Sequence, residues 1–294
     1  MDNQFTAARD FILRQGRLLE RRLFATCFEG APAAGVADAL RGYRNEDGGF
    51  GHGLEPDKRC PASLPIDIEM ALQALAAAGT ADEALVFAAC DYLAEVATRV
   101  SRGGAVPLAF PVIEAYPRAE HWTDWTYEPA LNPTAGLVGL LRQLGVDHAW
   151  VEEAAAWCWG QLAAVELPTD AHALREVLVF LEHAPERDRA DPIAGKVRDQ
   201  LATASWFLLD PDDSGYGLSP LSIAPAADSR WRVLFSEDVL SAHLDRLERH
   251  QQSDGGWPIS WEPPSDAARL EWRGAVTMDA LRTLVSYGRL SPQG

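Results

Sequence analysis

Helical periodicity in this chain comes in two qualities that alternate along it, and that alternation limits the available folds more than any other feature. Leu85, Ala89, Tyr92, Leu93 and Val96 form one apolar stripe, and Leu240, His243, Leu244 and Leu247 form another. Ser236 is placed to cap the second helix, with Glu237 and Asp238 at its positive end. One-faced helices of this kind belong on the outside of a fold. Segments 66–78, 134–144, 171–181 and 275–285 are instead apolar almost all round, the pattern of a helix enclosed by protein. Strand-like alternation is nearly absent. Outer and inner helices therefore alternate from about Ala33 onward, preceded by one further amphipathic helix over 4–23. Successive outer–inner hairpins describe a closed double ring or an open solenoid of helix pairs.

Connection lengths distinguish the two ends of such a ring. Outer-to-inner connections are mostly long, at roughly 46–64, 101–131 and 253–274, with another irregular stretch at 208–235; inner-to-outer ones are short, at 79–81, 145–147 and 185–188. Structureless loops beyond about 12 to 15 residues are uncommon unless they serve a function. One end is thus elaborated, and the N-termini of the inner helices converge there with their free N–H groups and positive dipole ends. The expected fold is an all-α α/α toroid of about five to six hairpins. It forms a single domain over 1–294, with its long loops at one end.

Charge and apolar content exclude several function classes. With 26 basic against 43 acidic residues the net charge is −17. No basic cluster stands out, so a phosphate backbone or an anionic bilayer surface has no electrostatic support as a partner. The longest apolar runs fall far short of a membrane span, and residues 1–23 lack a signal-peptide pattern, so the expected location is the cytoplasm. Cys27, Cys60, Cys90 and Cys158 are irregularly spaced, matching neither a disulfide framework nor a zinc knuckle. There is no dinucleotide fingerprint, P-loop or Gly-x-Ser-x-Gly.

Asp47-Gly48-Gly49-Phe50 and Asp254-Gly255-Gly256-Trp257 repeat one motif just after an outer helix. Each supplies a tight turn needing positive φ and an aromatic ring that packs back over the helix end. On this motif the chain resembles the terpenoid cyclase and protein prenyltransferase superfamily of α/α toroids. Gln251, Gly255 and Trp257 fit that superfamily's repeat, whereas the first copy carries Arg44 and Phe50 at the glutamine and tryptophan positions. The pattern looks most like small bacterial proteins built of squalene-cyclase-like repeats. The resemblance implies that these repeats are structural fastenings.

It also implies where chemistry would lie. Class II cyclases of that superfamily protonate an alkene with the middle acid of Asp-x-Asp-Asp, which points to Asp212 in Asp210-Pro211-Asp212-Asp213. Here Ser214-Gly215-Tyr216-Gly217 follows, a loop signal. Zinc-dependent prenyl transfer is disfavoured, because Cys60 follows Asp57 by three positions and no matching histidine segment is present.

The residues themselves single out a second acidic site. Glu55, Pro56 and Asp57 lead into an inner helix with Asp67 and Glu69 in its first turn, and several carboxylates at one mouth raise one another's pKa. They equally suit a divalent cation, or merely answer the helix dipole. Asp57, Asp67 and Glu55 are the candidate acids. His52, Trp122, Trp125, Tyr127, His172, Trp261, Trp272 and Arg273 are candidate substrate-binding residues, since loop aromatics line pockets as well as cover helix ends. Arg273 suits an anionic group or pairs with Glu271.

The leading expectation is a terpene-cyclase-like enzyme acting on an isoprenoid or other apolar small molecule in the toroid cavity. No metal site or cofactor is expected, except Mg2+ if the substrate is a diphosphate. A non-catalytic toroid binding a small molecule or protein, and an α/α-barrel sugar-processing enzyme, are the alternatives.

Overall fold

The computed structural model describes residues 3–100, 103–164 and 166–292. Within them the chain forms twelve α-helices, no strand and a few isolated bridges. The outer series is α1 (Asn3–Gln15), α3 (Ala34–Leu40), α5 (Glu83–Val100), α7 (Ala149–Ala164), α9 (Arg187–Leu201) and α11 (Glu237–Arg249). The inner series is α2 (Leu18–Glu29), α4 (Pro65–Ala78), α6 (Leu131–Gln143), α8 (Ala171–His183), α10 (Pro220–Ile223) and α12 (Asp266–Ser286). Neighbouring inner helices pack in order from α2 through α10. The link from α10 to α12 runs through α11, and α12 returns to α1 and α2. Six hairpins thus close into an α/α toroid. No helix among the described residues is long and apolar enough to cross a membrane.

Local chemistry sets the helix ends. Ser236 accepts from the Val239 amide at the start of α11, as its position predicts, and Asp170 accepts from the Ala173 amide at the start of α8. Two features depart from the sequence reading. The helix expected over 4–23 is two helices, because the chain turns at Gly16, where an added Cβ would lie 2.7 Å from the Ile12 carbonyl, and Arg17 is extended. The ring therefore begins with the α1–α2 hairpin. The fifth inner helix is a single turn, α10, because much of 202–219 is spent on a bridged excursion in which the Leu208 amide donates to the Leu218 carbonyl and the Leu218 amide to the Trp206 carbonyl. The start of the long loop expected over 101–131, Ser101 and Arg102, lies outside the described residues.

The repeated glycine motif has one geometry in both copies. Asp47 Oδ1 accepts from the Gly49 amide and Asp254 Oδ1 from the Gly256 amide. Asn45 and Gln252 each donate their amide to the second glycine's carbonyl at 2.9 Å. Gly48 and Gly255 hold φ at +88° and +95°, which favours glycine, and each presses on an outer helix. Gly48 meets Ala88 of α5, the next outer helix along the chain. Gly255 meets Ala7 of α1, the next around the ring. Gln251 adds a bond to the Gln4 carbonyl. The second fastening thus joins the last hairpin to the first.

Each inner helix is flanked by neighbours and backed by outer helices, so its remaining accessible face looks into the lumen. That face carries Ile66, Met70 and Gln73 on α4, His172, Arg175 and Val179 on α8, and Trp272, Val276 and Asp279 on α12. The spacing is that of one helical stripe each time.

Candidate functional site

The loop after the first fastening is shaped by a tight turn over 55–58, with the Lys58 amide donating to the Glu55 carbonyl. Gly53, at φ +70°, lies where a Cβ would come within 2.9 Å of the Lys58 carbonyl. Segment 57–59 also pairs with 117–119: the Ala119 amide donates to the Asp57 carbonyl at 2.8 Å and the Arg59 amide to Pro117 at 2.9 Å. This pairing places the 3-10 turn Glu120–Trp122 beside Asp57. From the other side Arg59 binds Glu271 through both guanidinium nitrogens, at 2.6 and 3.0 Å, docking the first turns of α12.

Asp57 is the centre of the resulting cluster. Its carboxylate accepts the indole N–H of Trp272 at 2.8 Å and that of Trp261 at 3.0 and 3.2 Å. His121 Nε2 stands 3.6 Å from its Oδ2, and that imidazole is 49% exposed where the aspartate side chain is 4% exposed. Burial, reinforced by the Glu55 carboxylate, pushes Asp57 up to about 7, against the pull of the two indoles and Lys58. A carboxyl in this range is partly protonated at neutral pH.

Beneath it lies a fully buried ionic network. Lys58 Nζ donates to Glu55 Oε2 at 2.6 Å, stands 3.6 Å from Asp67 Oδ2, and faces the Trp122 ring at 5.3 Å. Asp67 accepts the Glu55 amide at 2.8 Å. Burial works against the charge on Lys58, but Asp67 and Glu55 outweigh it and hold its pKa above the ordinary lysine value. Burial raises Asp67 to about 6, offset in part by Lys58. This network fixes the loop; Glu55 and Asp67 sit under Asp57.

Across the mouth, Tyr216 and His172 form a second polar pair. Their Oη and Nε2 atoms are 2.7 Å apart and their rings stack at 5.5 Å. Burial lowers His172, favouring the neutral imidazole that accepts the phenol proton. Burial and the charges of Asp57 and Glu55 push Tyr216 up to about 12. Tyr216 meets Trp261 edge-on at 5.6 Å, and Trp261 meets Trp272 at 5.2 Å. His121 also acts electrostatically on His172. Asp57, His121, His172, Tyr216, Trp261 and Trp272 therefore surround one mouth.

Other residues singled out from the sequence lie elsewhere. Trp125 packs on Trp122 at 4.8 Å, and both join Tyr127 in a small core beneath the 103–130 loop, with Tyr127 donating to Glu114. His52 is exposed and bound to Asn45 Oδ1 at 2.8 Å. Arg273 pairs with Asp254, not Glu271, at 2.8 Å through two nitrogens, donates to the Trp257 carbonyl and covers Phe11, so it belongs to the second fastening. Asp212 is exposed in an Asx turn on Asp210, held by Arg246 through the Pro211 and Asp213 carbonyls. Lys58 and His121 escaped the sequence reading. The only signal for either was its place inside a long mouth loop.

All four cysteines are free thiols. Among the described residues no group of three or more His, Cys, Asp or Glu side chains is arranged to hold a metal ion.

No family profile matches the chain, and no curated protein matches it in sequence. Among solved structures it is similar to the crystal structure of a protein from Actinoplanes, with a TM-score of 0.57 and 16% identity over 96% of this chain and 100% of that one. At that identity the likeness speaks for the fold alone, a multi-helix all-α domain.

Proposed function

We propose that the elaborated mouth binds a small, ring-bearing, hydroxylated molecule and that Asp57, working with His121, moves a proton to or from it, as a sugar-processing enzyme does. The observation that carries this reading is the Asp57 carboxyl, raised to about 7 and held between two indole N–H donors. Such a group is matched to general acid–base work on an oxygen near neutral pH. His121 is its accessible neighbour, and Trp261, Trp272 and Tyr216 offer the flat faces on which sugar rings stack.

Acid-initiated cyclisation or isomerisation of an isoprenoid is the second reading, favoured by the same run of aromatic rings, whose faces stabilise cations. Two observations weigh against it. A carboxyl made less acidic than usual is a poor proton source for an alkene, and the lumen stripe carries Arg175 and Asp279. One experiment separates the readings. The protein is incubated with a panel of 4-nitrophenyl glycosides and, separately, with farnesyl diphosphate, geranylgeranyl diphosphate and squalene, alongside Asp57→Asn, Asp67→Asn and Asp212→Asn. Nitrophenol release abolished by Asp57→Asn but retained in Asp212→Asn supports the first reading. Cyclised hydrocarbon products support the second, and turnover unaffected by Asp57→Asn overturns the assignment of the proton to Asp57.

A further inference from the structure

The lumen below Asp57 presents hydrogen-bonding groups that the protein itself leaves largely unused. Arg175 and His172 lie on one stripe of α8, with Arg175 one turn deeper; its side chain is 32% exposed. Its Nη1 donates to Glu176 at 3.1 Å, and the rest of the guanidinium finds no acceptor among the described residues. Glu176 is buried, its Oε2 in the space a Cβ on Gly136 would occupy. Asp279 lies on the stripe of α12 that carries Trp272, seven residues and so about 10 Å further in. Its carboxylate is 76% exposed; Arg282 stands 3.8 Å away, and Arg175 acts on it from further off. On α4, Glu69 accepts the Gln73 amide at 2.7 Å. Glu69, Asp279 and, at the mouth, Tyr216 all lie near enough to Arg175 for their charges to act on it.

An apolar ligand leaves such a set unsatisfied, and a simple anion or cation meets both signs of charge. Sugar hydroxyls donate and accept at once, and so answer a planar donor fork opposite carboxylate acceptors. We propose that Arg175 and Asp279 form a hydroxyl-recognising subsite in the lumen that receives a second polyhydroxylated ring of the ligand, beyond the ring held at Asp57. This rests on the sugar-processing reading of the mouth and extends it to a ligand of at least two rings.

The test is binding, measured by calorimetry with 1-deoxynojirimycin as a one-ring probe and its 4-O-glucosyl derivative as a two-ring probe. The two-ring probe is expected to bind at least about tenfold more tightly, and Arg175→Gln and Asp279→Asn each remove most of that gain while leaving the one-ring affinity within about twofold. Asp279→Asn alters an accessible side chain, so it retains the test if Arg175→Gln fails to fold. Equal affinities for the two probes, or a gain that survives Asp279→Asn, overturn the subsite while the mouth reading stands on one-ring binding that Asp57→Asn weakens. If neither probe binds, the sugar reading falls and the subsite with it.

Discussion

Trp272 donates its indole N–H to Asp57 Oδ1 across 2.8 Å, joining an inner helix to a loop 215 residues earlier in the chain. Trp261 approaches the same carboxylate, so both long mouth loops that follow the fastenings converge on one acid. The carboxyl retains a raised pKa in spite of these donors because burial and Glu55 outweigh them.

That balance links stability to pH. The native pKa of Asp57, about 7, and that of Asp67, about 6, both lie above the ordinary aspartate value, so the native state binds more protons than the unfolded chain between about pH 4 and 7. Their contribution is therefore most favourable below pH 4 and declines as pH rises through 6 and 7. Urea denaturation across this range is expected to show a loss on the order of a few kcal/mol from these groups, and Asp57→Asn flattens the slope. An unchanged slope in the variant contradicts the assignment.

Lys58 answers two buried carboxylates with one charge. Lys58→Met is expected to destabilise the fold by about 3 to 5 kcal/mol, since it leaves Glu55 and Asp67 buried without their cation. Adding Glu55→Gln and Asp67→Asn to Lys58→Met recovers part of the loss. Denaturation midpoints of the single and triple variants check this.

The Tyr216–His172 contact has a spectroscopic signature. Tyr216→Phe removes the phenol that donates to neutral His172 while keeping the ring stacked on it, so the neutral imidazole loses the bond that favours it. The His172 imidazole, lowered by burial in the native protein, is then expected to titrate at higher pH, followed by its ring-proton shifts in NMR. A titration that does not move argues that the hydrogen bond leaves the imidazole equilibrium untouched.

Gly48→Ala and Gly255→Ala test the two fastenings. Each places a side chain at positive φ and against a carbonyl, at 2.6 Å from Ala88 and 2.1 Å from Ala7 respectively. Each is expected to cost about 1 to 3 kcal/mol. Hydrogen exchange should quicken in α5 for the first variant and in α1 for the second.

Much of this architecture is legible in the amino-acid sequence because it rests on local pattern. The helices apolar on all sides, 66–78, 134–144, 171–181 and 275–285, correspond to α4, α6, α8 and much of α12, and the long loops before α4, α6 and α12 do meet at one mouth. The glycine motif is local as well. The break at Gly16 is hidden because the apolar pattern continues across it, and the need for a glycine there shows only in the folded chain, where a Cβ would press on the Ile12 carbonyl. Asp57 was legible as an acid in an elaborated loop. Lys58 reads in sequence as one more surface charge, and its burial depends on Trp122 and Asp67 arriving from other segments. His121 reaches Asp57 through backbone pairing between two loops, which no local periodicity records. The same long-range dependence separates Trp261 and Trp272, which meet the acid, from Trp125 and Tyr127, which pack beneath their own loop.

The contact of Gly255 with Ala7 changes how this array of hairpins comes apart. In an open stack of repeats each unit leans only on its neighbours, and unfolding frays inward from the ends. Here the first and last hairpins are neighbours, and Gln251 reaches Gln4 across 247 positions of chain. There is no terminal repeat from which fraying can start, so loosening one hairpin removes support from two. Melting is expected to be a single cooperative event, with folding slowed by the long loop that must close before the ring is complete.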